Sequence, residues 1–128
     1  MPDMLIVFFA GFVFGIGFCG LMFRFYLAFD SILRFLYRNR PEIWKSLGRP
    51  RGWQWVAPGR FQIVPAFDLA GKWIAQTPDW AVESSFLIEK LTIMRRTNRL
   101  AFQVFFPAFA ICLLVTMVLG LISGELLK

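Results

Sequence analysis

The sequence has no histidine, only two cysteines and little charge. Without histidine there is no residue with an ordinary pKa near neutrality to act as general base. The commonest metal ligand and ordinary imidazole ligation of haem are excluded too. Two cysteines are too few for a disulfide-stapled secreted domain. Cys19 and Cys112 also fall inside apolar runs. By helical rise their depths differ by roughly ten ångströms, which argues against a disulfide or a metal pair and for small buried residues. Charged residues make up 17% of the 128 and apolar residues 58%, against about 25% and about 45–50% in a soluble domain. The mean hydropathy is +0.61. A soluble globular domain and a disordered chain are both excluded by this balance, which leaves a small integral membrane protein.

The apolar residues are gathered into two uncharged runs. Met4–Phe23 holds 20 residues, enough for a helix about 30 Å long, one hydrocarbon core. A signal peptide would begin with positive charge and carry a shorter apolar stretch. This run begins after Asp3 and ends in Phe23-Arg24-Phe25-Tyr26. The second run, Leu100–Gly124, holds 25 residues, about 37 Å as a straight helix, so it must tilt, kink or project. Pro107 removes one backbone donor and predicts a kink near residues 103–107. Gln103, one turn earlier, either satisfies a freed carbonyl, bonds a neighbouring helix or faces the headgroups. Neither run alternates polar and apolar residues as a barrel strand would.

The expected fold is therefore an all-α integral membrane protein. Two transmembrane helices are joined by a loop of about 70 residues, basic, Trp-rich and interfacial or cytoplasmic, with short helices. The segments are residues 1–29 (first transmembrane helix), 30–77 (loop), 78–99 (cytoplasmic extension of the second helix), 100–124 (second transmembrane helix) and 125–128 (tail). Residues 30–99 carry 12 of the 14 Lys and Arg. Basic loops stay on the cytoplasmic side. This predicts a multi-pass protein of the bacterial inner membrane with both termini periplasmic. In an organelle inner membrane the loop would face the matrix or stroma.

Within the loop, Asp30, Arg34 and Arg38 are spaced by four, one polar stripe on a helix, and Asp30 can pair with Arg34. Arg24 must snorkel or meet a buried carboxylate. Pro41 opens a short helix over Pro41–Leu47, Gly48 closes it and Pro50 stops it. Residues 49–60 read as an irregular stretch at headgroup level. All five tryptophans, at 44, 53, 55, 73 and 80, lie in the loop, where an apolar ring with a polar N–H suits the interface. Arg34, Arg38, Arg40, Arg49, Arg51, Arg95, Arg96 and Arg99, with Trp53 and Trp55, form a candidate collar for lipid headgroups. Anionic lipid, of the cardiolipin type, is the expected ligand. Thr77-Pro78-Asp79 predicts a helix start, with Thr77 as cap and Asp79 and Glu83 at the positive end of the dipole. One long helix should run from Pro78 into the second span. Phe86, Leu87, Leu91 and Met94 give its loop portion an apolar face.

Gly11-xxx-Gly15, followed by Gly17 and Gly20, thins the first span for helix–helix contact. The contact is to the second span, to a second copy or to another protein. No carboxylate lies within a span, so no proton relay is suggested, and Gly15–Gly20 lacks the strand a dinucleotide fingerprint requires. No catalytic residues, metal ligands or cofactor site are found, and the expected protein is not an enzyme. Basic residues interleaved with aromatics also occur in nucleic-acid patches, but no nucleic-acid motif is present.

The order of parts resembles the universal stress protein B family of small bacterial membrane proteins. An N-terminal span precedes Leu36-Tyr37-Arg38-Asn39-Arg40-Pro41-Glu42-Ile43-Trp44 with Leu47-Gly48. A polar loop follows, and the basic run Glu89–Arg99 enters the last span. The insert around residues 51–80 is longer and richer in Trp than that layout. The resemblance implies a two-span inner-membrane protein and carries over no site residues. The functional expectation is a non-catalytic accessory subunit packed against a larger membrane complex of respiratory or photosynthetic type. The alternative is a self-assembling homo-oligomer that shapes membrane or responds to stress. A channel is disfavoured because polar residues in the spans are confined to Gln103, Thr116 and Ser123.

Overall fold

The computed structural model describes residues 2–57 and 66–126, with the side chains of residues 125 and 126 left aside. It is all-helical, with no strand among the described residues. The helices are α1 (Pro2–Asn39), α2 (Pro41–Ser46), α3 (Phe67–Ala75), α4 (Ser85–Leu100) and α5 (Phe106–Leu126). A 3-10 turn covers Asp79–Ala81 and a π-helical segment covers Ala101–Phe105. Two helical stretches, Pro2–Asn39 and Ser85–Gly124, are long and apolar enough to cross a membrane. Residues 58–60 of the expected irregular loop, and residues 127–128 of the tail, lie outside the described residues.

The chain divides into two compact units, one of residues 1–22 with 98–128 and one of residues 23–97. In the first, α1 runs antiparallel to α5, as the facing pairs Gly11 with Cys112 and Gly15 with Phe109 require. The expected irregularity near Pro107 takes the form of the π segment: the Phe106 N–H reaches the Ala101 carbonyl, five residues back. A proline ring collides with the carbonyl four residues before it, here that of Gln103. The wider π turn eases this collision and keeps the helix continuous. Gln103 is exposed. Thr116 donates its hydroxyl to the Cys112 carbonyl at 2.8 Å, which satisfies that donor on an apolar helix.

The second unit has a true core. Phe25, Ala28, Phe29, Ile32, Leu33 and Leu36 of α1 are buried, and their spacing of three and four defines one helical face. Leu87, Leu91 and Met94 of α4 are buried by the same periodicity, with Ala70 and Trp73 from α3. Phe86 stands at the margin, stacked on Phe35 with centroids 5.0 Å apart. The helix α2 starts at Pro41 and ends at Ser46. Its close is a Schellman pair, Arg49 N–H to Trp44 O and Gly48 N–H to Lys45 O, both 3.1 Å. Gly48 takes φ +88°, the left-handed conformation this motif requires.

Three local expectations are corrected. Thr77 and Pro78 do not start the long helix. Pro78 is extended (ψ 146°) and precedes only the 3-10 turn. The helix starts at Ser85, where Ser84 Oγ accepts the Leu87 N–H at 3.4 Å. Ser is as good a cap as Thr, and Thr77 is occupied elsewhere. Asp79 and Glu83 therefore lie before α4 rather than in its first turn. Asp30 does not pair with Arg34; its carboxylate turns to the backbone of the loop, as described below. Nor do the tryptophans form one interfacial set. Trp44 and Trp73 are core residues, 3% and 4% exposed. The Trp44 ring N–H is satisfied by the Pro50 carbonyl at 3.1 Å, which removes the need for water at its polar end.

Candidate functional site

The predicted helix-contact glycines are not equivalent. Gly11 is buried, and a Cβ built on it would stand 3.0 Å from Cys112 Cβ. A Cβ on Gly15 would meet the Phe109 ring at 3.1 Å, and one on Gly17 would collide with the Phe105 ring. Gly20 has nothing within 4 Å. Gly11, Gly15 and Gly17 thus let α1 approach the π–α5 segment of the same chain, while Gly20 is open. Edge-on rings fill the seam, Phe14 with Phe105 and Phe18 with Phe102, centroids 6.0 and 5.5 Å apart.

Beside this seam lies an apolar groove of about 400 Å³. Phe12, Gly15, Ile16 and Cys19 of α1 form one wall, and Phe106 and Phe109 of α5 the other. Phe12, Ile16 and Phe106 are each about half exposed. Nothing polar lines the groove, so it has no means of binding a hydrated or charged ligand.

The candidate headgroup residues separate into two kinds. Arg34, Arg38, Arg49, Arg96 and Arg99 are exposed. Arg95 and Arg40 hold the second unit together. Arg95 donates to the Trp73 carbonyl at 3.0 Å and to Thr77 Oγ1 at 2.7 Å, tying α4 to the end of α3. Arg40 lies 3.7 Å from Glu42 and reaches the Trp80 carbonyl at 3.5 Å. Arg51 is half-buried, and its carbonyl accepts the Ala66 N–H at 3.0 Å. Trp53 packs on Phe23 and Tyr26, and Trp55 on Tyr37 and Trp44. Apart from the Arg40–Glu42 pair, sequence gives no sign of these roles, because each depends on a partner distant in the chain. Replacing Arg95 with Met is expected to lower stability by about 1–2 kcal/mol, since two charge-assisted bonds are lost at a half-buried site. Chemical denaturation followed by tryptophan fluorescence measures it.

The feature that sequence reading missed is the setting of Asp30. It is 5% exposed. Its Oδ1 accepts the Trp53 N–H at 2.6 Å and its Oδ2 accepts the Gln54 N–H at 2.9 Å. Gly52 lets the loop come this close: a Cβ there would collide with Asp30 Oδ1. The Gly in Arg51-Gly52-Trp53 was the available signal, but it does not name its partner. Against this loop lies a recess of about 450 Å³ lined by Arg24 and Arg34 of α1, Gln54 of the loop and Lys90 of α4. Among the described residues no three His, Cys, Asp or Glu stand together as a metal site would require. Cys19 and Cys112 are both free thiols. Comparison with protein families, curated proteins and solved structures finds no match for this chain.

Proposed function

We propose that this chain is a non-catalytic accessory subunit that packs its two spans against a larger membrane complex of respiratory or photosynthetic type. The apolar groove formed by Phe12, Gly15, Ile16, Cys19, Phe106 and Phe109 carries the reading. Between helices in a membrane, lipid removes the hydrophobic advantage of association, so packing of shape against shape drives assembly. A groove thinned by glycine and walled by rings suits the bulky side chains of a partner helix. Gly20, on α1 with open space about it, offers a second close approach. The surrounding surface is apolar on every turn, including Leu5, Ile6, Val13, Ile111, Leu114 and Leu121. The cations lie almost wholly between the two apolar runs, which supports a bacterial inner-membrane orientation with both termini periplasmic. The resemblance to the universal stress protein B layout is compatible with this placement and adds no activity.

A tagged chain run on a native gel in mild detergent should co-migrate with one large complex. Cys19→Trp fills the groove and should deplete the chain from that complex about tenfold, the low end of an overpacking penalty. A photo-crosslinker at position 16 should capture other proteins. Crosslinks only between copies of this chain would replace the subunit with the self-assembling homo-oligomer. A small band unaffected by Cys19→Trp would remove the partner altogether.

A further inference from the structure

The recess beside Asp30 has a charge pattern that neither helix packing nor the core explains. Of the lining residues of α1, those at 24, 27, 28, 31 and 34 form one stripe on the helix, and Asp30 lies at its edge. Arg24 and Arg34 are exposed, and among the described residues neither makes an ion pair. Lys90 approaches from α4 and is half-buried, its ammonium 5.4 Å from the centre of the Phe86 ring. Opposing these three cations is one carboxylate, Asp30, whose two oxygens are already bonded to the Trp53 and Gln54 amides. The lining residues thus carry a net charge of +2. Like charges gathered around one concavity raise the concentration of an anion there. The Ser31 hydroxyl donates to the Leu27 carbonyl at 2.8 Å, so the available donors are the two guanidiniums, the ammonium and the exposed Gln54 side chain.

We infer that this recess binds a phosphate-bearing anion, presented as the headgroup of an anionic phospholipid. A tetrahedral phosphate accepts from several donors at once, which matches arginines and a lysine converging from two helices. Arg24 is the first charged residue after the uncharged run, and in a spanning helix such a residue stands at phosphate level. Leu27, Ala28 and Ile93 make the remaining wall apolar, suited to the glycerol and the first methylenes of a lipid. The site is distinct from a diffuse basic collar, since Arg38, Arg96 and Arg99 do not line it. The choice of lipid rests on α1 being a span; the phosphate chemistry does not.

The test is titration of the full chain in neutral detergent with short-chain phosphatidylglycerol, read by tryptophan fluorescence, with glycerol 3-phosphate in a parallel arm. Arg24→Gln and Lys90→Gln should each weaken phosphatidylglycerol binding about fivefold, and the pair about 25-fold, at about 1 kcal/mol per cation. Arg34→Gln should behave like either single variant, and Arg38→Gln should bind like wild type. All four side chains are solvent-accessible to some degree, and unchanged circular dichroism verifies folding. Equal losses on replacing Arg38 would overturn the site in favour of general attraction, as would no loss for any variant. Cation-dependent binding of glycerol 3-phosphate matching that of the lipid supports the phosphate site and makes its source a soluble compound. Flotation with phosphatidylcholine vesicles tests the span reading separately, because a chain that fails to float can still be titrated with glycerol 3-phosphate.

Discussion

Asp30→Ala is expected to destabilise the 23–97 unit by about 3 kcal/mol, because two charge-assisted hydrogen bonds vanish and two backbone donors at a part-buried site lose their partner. Asp30 lies on α1, 23 and 24 residues from the amides it holds, so the loss unfastens the 51–57 stretch rather than a single turn. Denaturant titration of the purified chain, read by tryptophan fluorescence, measures the change, and protease cleavage within the loop should accelerate in parallel. Asp30→Asn should recover about half, since its amide offers one acceptor oxygen and turns an N–H₂ toward the second donor. Gly52→Ala should also destabilise, through the collision of its Cβ with Asp30 Oδ1. In the Asp30→Ala background that cost should shrink, the non-additivity expected of residues in direct contact. Additive effects, or an Asp30→Ala variant as stable as wild type, would show that water replaces the carboxylate without penalty.

Gly11→Leu should have the next largest effect, about 2–3 kcal/mol of overpacking between α1 and α5. A shorter approach exists at Gly17, where a Cβ would collide with the Phe105 ring. Yet a ring can rotate away, whereas the atom facing Gly11 is the Cβ of Cys112, fixed to the backbone. The chain can therefore absorb a methyl group at Gly17 more easily than at Gly11. Unfolding in mixed micelles with rising sodium dodecyl sulfate is the measurement. Gly11→Ala should cost less than Gly11→Leu, and adding Cys112→Gly should restore most of it. Gly20→Leu, with open space around the residue, should leave this stability unchanged. A Gly11→Leu chain that unfolds like wild type would mean that the helices do not meet there.

The sequence by itself determined the features that act over one or two helical turns. Uncharged runs of 20 and 25 residues predict long apolar helices, and both are present. Pro107 predicts an irregularity, found as the π segment beside it. Pro41 and Gly48 bracket α2 because one supplies a helical φ without a donor and the other tolerates the left-handed conformation. The spacing of Leu87, Leu91 and Met94 marks a buried face because helix periodicity is itself local.

Only the tertiary structure decided what each polar group does. Asp30 had Arg34 within reach one turn away, but the fold brings it the Trp53 and Gln54 amides, and a buried carboxylate gains more from backbone donors than from an exposed arginine. Thr77 had a capping sequence after it, but Arg95 holds its hydroxyl, and Ser84 caps α4 instead. Trp44 and Trp73 carry the composition of interfacial residues and are core residues, because Tyr37 and Trp55 pack on the first and Phe29 and Trp80 on the second. In each case competing local options differ by about 1 kcal/mol. Contacts made across tens of residues outweigh that difference, and no short stretch of sequence encodes them.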